Sequence, residues 1–173
     1  MKRRSAIKNL MIIAGGIAIM PSCSNEPGKA SIELKNLPVN AEQEALLADI
    51  AEAIIPKDTI PGAKDLKLHL FTLKMVDDCE TPEAQKLFLS GLAAVDVLAK
   101  DKYGNAFTQC TPKQKMELLD TISKKDSASK EASAFIGMVK HRVTQGFMNS
   151  KLVMTDLKKY ELVPGRYNGY FKV

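Results

Sequence analysis

The chain has 173 residues, with 25 Lys and Arg against 20 Asp and Glu, a formal charge of +5 and a pI near 9.0. Four of the cations (Lys2, Arg3, Arg4, Lys8) fall in residues 1–22, which hold no acid, so the rest of the chain carries only +1. That balance excludes the basic surface of a nucleic-acid-binding domain, and the length left suits one domain with one core.

The first 23 residues have the parts of an export signal. A basic start is followed by an apolar run from Leu10 to Met20 and then by Pro21-Ser22-Cys23. The run is too short to span a bilayer, which takes about 20 apolar residues. Arg3-Arg4-Ser-Ala-Ile-Lys8 resembles a twin-arginine signal, and Gly15-Gly16 suits the modest hydrophobicity of that class. This reading is preferred to an ordinary secretory signal. Met20-Pro-Ser-Cys23 resembles a loose lipobox, with Cys23 the lipidated N-terminus of the mature protein. Only Glu26 follows Cys23 closely, so the acidic run expected for surface display is missing and a periplasmic, membrane-anchored protein is expected.

Residues 23–39 hold Asn, Pro, Gly, Lys and Ser with little apolar periodicity and are expected to form a tether. The folded domain is then expected over 40–173. Asn40 with Gln43 makes a capping-box pattern for a helix to about Ile55, with Leu46, Leu47, Ile50, Ile54 and Ile55 inward. Pro56 ends it, and Pro61-Gly62-Ala63 belongs to a turn-rich connector. A second helix is expected from Asp65 to Asp78, with Leu66, Leu70, Leu73 and Val76 apolar.

Thr81-Pro82 starts a third helix, running to about Lys102 with Leu87, Phe88, Leu92, Val95, Leu98 and Ala99 inward. Thr111-Pro112 with Gln114 starts a fourth, carrying Met116, Leu118, Leu119 and Ile122. The fifth is expected from Lys130 to Phe147, with Ala132, Phe135, Ile136, Val139, Val143 and Phe147 inward. A turn-rich aromatic tail follows from Leu157. No alternating β-branched run appears, so the expected class is all-α, a single compact domain of five helices.

Chemistry is sparse. His69 and His141 are the only histidines, and neither has a metal-ligand spacing to another His or Cys. Asp77-Asp78 with Glu80 is expected to be solvated surface, and Glu42 and Glu44 point to different sides of their helix. Cys79 and Cys110 either pair as a disulfide or stay as two buried thiols. There is no dinucleotide fingerprint, phosphate loop or nucleophile elbow. No catalytic, cofactor-binding or metal-binding residue is assigned.

Four stretches in order resemble the gluconate 2-dehydrogenase subunit 3 family. They are Ile54-Ile-Pro56 with Pro61-Gly-Ala63; Phe88-x-x-Gly91-Leu92 through Tyr103-Gly104-x-x-Phe107 to Thr111-Pro-x-x-Gln114; Phe135 with Lys140 and Thr144-Gln-Gly146-Phe147-Met-Asn-Ser150; and Tyr160-Glu-Leu-Val-Pro164-Gly165-x-Tyr167-x-Gly169. The resemblance covers about Asn40 to Gly169. It departs from the family at Asp58-Thr59-Ile60 and at Phe147-Met148-Asn149.

The resemblance implies a small accessory subunit of a membrane-associated dehydrogenase. In such complexes a large glucose-methanol-choline-type flavoprotein binds FAD and oxidises a sugar or sugar acid, and a cytochrome c subunit with haem, where present, takes the electrons. The small subunit often carries the twin-arginine signal for the folded pair. Pro61, Gly62, Ala63, Thr144, Gly146, Phe147, Ser150, Pro164, Gly165 and Tyr167 are the candidate partner interface, because rigid turns and exposed aromatics suit interfaces. The alternative is a free-standing periplasmic lipoprotein with a binding or structural role.

Overall fold

A computed structural model describes residues 28–124, 129–158, 160, 165, 169 and 170. Arg3, Arg4, Lys8, Cys23, Pro164 and Tyr167 lie outside them. The described residues form an all-α domain of five helices: α1 Ala41–Ile54, α2 Leu68–Cys79, α3 Pro82–Tyr103, α4 Pro112–Ser123 and α5 Lys130–Met148. A 3-10 turn, Phe107–Gln109, joins α3 to α4, and a short π-helical turn, Leu152–Leu157, follows α5.

The caps explain where the helices begin. At α1, Gln43 N donates to Asn40 Oδ1 at 2.8 Å while Asn40 N donates to Gln43 Oε1 at 3.0 Å, which satisfies two otherwise unpaired amides. Thr111 and Gln114 repeat the exchange at α4, and Thr81 accepts from Ala84 N at the start of α3. No side chain caps α2; Lys67 before it adopts a left-handed φ of 52°. That break moves the start of α2 from the expected Asp65 to Leu68. The 62–67 stretch is instead a run of turns, with Leu66 N donating to Gly62 O and Lys67 N to Lys64 O.

α5 lies across the bundle and packs on α2, α3 and α4. Its Phe135 meets Phe88 of α3 edge-on, with ring centroids 5.1 Å apart. Both rings are fully buried, along with Leu47, Ile50, Leu73, Leu92, Val95, Ile122, Ile136 and Val139. Gly91 lets α3 and α5 come close: a Cβ there would lie 2.2 Å from Phe135 Cβ. Phe107, from the 3-10 turn, is buried beneath α1 and α3, and its N–H donates to Asp96 Oδ1 at 3.0 Å.

Three further expectations differ from the structure. Ala30 to Val39, expected as tether, packs on the helices, with Leu37 and Val39 buried and Ala30, Ile32 and Leu34 against the core. Those five residues follow no helical period because they seat in a segment of bends that forms no helix. Asp77 is not solvated: at 1% exposure it accepts from the amides of Lys35 (2.8 Å), Asn36 (2.7 Å) and Leu37 (2.9 Å). Its acidic neighbour Glu80 pairs with Arg142 of α5 at 2.5 Å, and only Asp78 is exposed. Met116, expected inward, is 60% exposed, because Leu118, Leu119 and Ile122 occupy the buried side of α4.

Candidate functional site

A cavity of about 310 Å³ opens between α1, the connector after it and the first turn of α4. Ala53, Pro56, Pro112 and Met116 supply its apolar walls, and Asp49, Glu52, Lys57, Lys64 and Lys115 its charges. Asp49 sits on the buried face of α1 beside Leu46, Leu47 and Ile50. A carboxylate placed there needs partners, since burying an unpaired charge is costly. Lys64 Nζ bonds Asp49 Oδ1, and Lys115 Nζ bonds Oδ2 at 2.6 Å. Lys115 is itself fully engaged: it donates to Thr108 O at 3.2 Å and lies 5.6 Å from the centre of the Phe107 ring. Lys64 is half exposed, and Asp49 is its one partner among the described contacts.

Glu52 shapes the rim. Its carboxylate accepts from Lys57 N at 3.0 Å and Lys64 N at 2.8 Å, closing the connector back on α1. Gly62 fits beneath it; a Cβ there would lie 2.6 Å from both Glu52 Oε1 and Lys57 N. Lys57 pairs with Asp65 at 3.1 Å, and the Lys57 ammonium holds the Asp65 carboxyl below its ordinary pKa. Glu52 keeps its negative charge while it accepts from backbone amides, so Asp49 and Glu52 balance Lys64 and Lys115, and Asp65 balances Lys57. The N-terminus of α4 at Pro112 adds to the positive side.

The candidate interface residues separate into two groups. Pro61, Gly62 and Ala63 form the connector beside the cleft, although Gly62 and Ala63 are buried and only Pro61 is partly open. Ala63 N donates to Ile55 O and Leu68 N to Ala63 O, each at 2.9 Å, so the turn ties α1 to α2. At the end of α5, Thr144 is exposed, while Phe147 and Ser150 are half-buried. Gly146 faces inward: a Cβ there would lie 2.7 Å from Phe71 Cδ1 and 3.3 Å from Leu68 Cδ2. Gly62, Ala63 and Gly146 are therefore buried within this chain, beneath the surface that their neighbours form. Gly165 is exposed.

His69 is half-buried on α2, and burial lowers its pKa, with Lys64 and Lys67 adding to the effect and Glu44 opposing it. Cys79 and Cys110 are free thiols, so of the two alternatives the pairing does not hold and the buried thiols hold only in part: Cys79 is exposed at the end of α2, and Cys110 is buried with its Sγ donating to Ala106 O at 3.5 Å. Among the described residues no three His, Cys, Asp or Glu side chains come together as a metal site. None of their helices is long and apolar enough to cross a membrane.

The sequence reading missed Asp49, Glu52, Lys64 and Lys115. One signal for them was present: an aspartate two residues from Leu47 and adjacent to Ile50, on the apolar face of an amphipathic helix, demands a cation from elsewhere in the chain. Which lysine answers depends on the fold, since Lys115 lies 66 residues away.

A search of curated proteins and a search of solved structures each found no match. The sequence profile of the family Gluconate 2-dehydrogenase subunit 3 matches residues 41–165, from the first residue of α1 to the glycine of the tail. That span includes the whole cleft and all five helices, and the chain belongs to the gluconate 2-dehydrogenase subunit 3 family, whose members are small subunits of dehydrogenase complexes.

Proposed function

We propose that this chain is a non-catalytic accessory subunit that helps export, assemble and anchor a periplasmic FAD-dependent dehydrogenase of the glucose-methanol-choline type, acting on a sugar or sugar acid. The observation that carries the reading is the family match over residues 41–165. Arg3-Arg4 supports it from the other side, because a twin-arginine route suits a partner that folds around its flavin before crossing the membrane. FAD belongs to the large subunit, and haem to a cytochrome c subunit where one is present. A cavity of about 310 Å³ lies at the lower edge of the range for small-molecule sites, about 300–1,000 Å³, and suits a partner's side chain better than a dinucleotide. Cys23 supplies the membrane anchor in this account.

Replacing Arg3 and Arg4 together by Lys tests the export role. Flavin-dependent sugar dehydrogenase activity should disappear from the periplasmic and membrane fractions and accumulate in the cytoplasm. Unchanged export of both this chain and the activity would favour a free-standing lipoprotein using the general route.

A further inference from the structure

We infer that this chain turns the N-terminal end of α1 to a lipid surface and holds the connector at the other end of α1, residues 56–63, away from it. This rests on Cys23 as the lipidated anchor and adds which end of the domain the anchor holds down. What carries it is the folded segment before α1. Gly28 O accepts from Ala41 N at 3.2 Å, and Lys29 bridges to Asn40. Ser31 donates from its N and its Oγ to the Glu44 carboxylate, each at 2.6 Å. Farther along, the Asp77 carboxylate holds the amides of Lys35, Asn36 and Leu37, and Leu37 and Val39 are buried. Residues 28–40 are thus fixed to the helices, and the chain leaves the folded body at Gly28, beside the first turn of α1.

Only residues 24–27 separate Cys23 from Gly28. Five peptide steps span at most about 18 Å in any conformation, where a spacer free as far as Asn40 would reach about 60 Å. A folded body of this length is roughly 35–40 Å across, about twice the leash. α1 has 14 residues and is about 20 Å long. With the connector set against the lipid, Gly28 would stand about 20 Å above the surface plus the thickness of the connector, beyond the reach of the leash. That orientation is closed, and across the orientations left the first turn of α1 lies nearer the lipid than the connector does. Charge does not set this placement. The segment and the first turn of α1 carry Glu33, Glu42 and Glu44 against Lys29 and Lys35, a balance that does not draw them to an anionic lipid surface. The short covalent link does.

The test uses the full-length chain from its native host, in vesicles of phosphatidylethanolamine and phosphatidylglycerol that carry a headgroup-linked fluorescence acceptor. A donor dye is attached at Glu42→Cys or at Asp58→Cys, both exposed positions, in a Cys79→Ser background, Cys110 being buried. Thermal unfolding checks that each variant folds. The donor at position 42 should lie nearer the acceptors than the donor at 58, by about 10 Å or more. Inserting about ten Gly and Ser residues between Asn25 and Glu26 should bring the two donors nearly level, because the longer leash lets the domain turn over. Equal approach at the native spacing, or a nearer donor at 58, would overturn the orientation. A difference that survives the insertion would overturn the short link as its cause. Cys23→Ser should leave the chain off the vesicles; binding as strong as that of the wild type would overturn the anchor and the orientation with it. Flavoprotein recovered with the chain in detergent reports on the accessory-subunit reading separately, since no lipid surface is present there.

Discussion

Asp77 does for the N-terminal segment what a cap does for a helix. Burial by itself pushes its carboxyl pKa up, but three backbone amides and the nearby Lys74 outweigh that and hold it below the usual carboxylate value. A group with a lowered folded pKa stabilises above its unfolded pKa of about 4 and loses that contribution as pH falls through the folded value. Exchange of the Lys35, Asn36 and Leu37 amides should therefore accelerate selectively as pH drops below about 4, a change that amide exchange corrected for intrinsic rates will detect. Asp77→Ala should cost about 2–4 kcal/mol in urea unfolding at neutral pH, because it strands buried donors. Asp49→Ala should cost about 2–3 kcal/mol by removing the acid between Lys64 and Lys115; full stability in that variant would refute the pairing. Asp49, on the apolar face of its helix, signalled the need for a cation without naming it, whereas Asp77 at a helix end gave no such sign, and the partners of both come from distant sequence.

The helices were far more legible than the segments between them. Asn40 with Gln43, Thr81-Pro82 and Thr111-Pro112 with Gln114 are local chemistry, so the starts of α1, α3 and α4 follow from a few adjacent residues. The start of α2 did not, because it is set by the left-handed Lys67 and by turn hydrogen bonds to Gly62 and Lys64. Two glycines separate local from tertiary demands at this scale. Gly91→Ala would press a methyl into Phe135 and should destabilise by about 1–3 kcal/mol through forced separation of α3 and α5. Gly137, exposed in α5 with nothing within 4 Å of an added Cβ, should instead become more stable on mutation to Ala, by about 0.5–1 kcal/mol. Thermal unfolding of the pair checks both signs, and equal effects would mean that Gly91 is not the contact point.

For the whole molecule, the helical body and the signal-like first segment carry different parts of the account. The family profile spans the five helices, while Arg3, Arg4 and Cys23 precede the described residues. The all-α class and family membership were readable because amphipathic period and ordered motifs are sequence properties. The cleft was not, since α1, the connector and α4 meet only after folding around Phe107 and α5. The central claim is that this chain works as a companion to a flavoprotein. Purifying the tagged wild-type chain from its native host, then measuring bound flavin and identifying the co-eluting protein by mass spectrometry, tests it most directly. The account predicts a large FAD-bearing oxidoreductase in about equal proportion to this chain. A chain that elutes alone, without flavin, from cells expressing such an enzyme would contradict it.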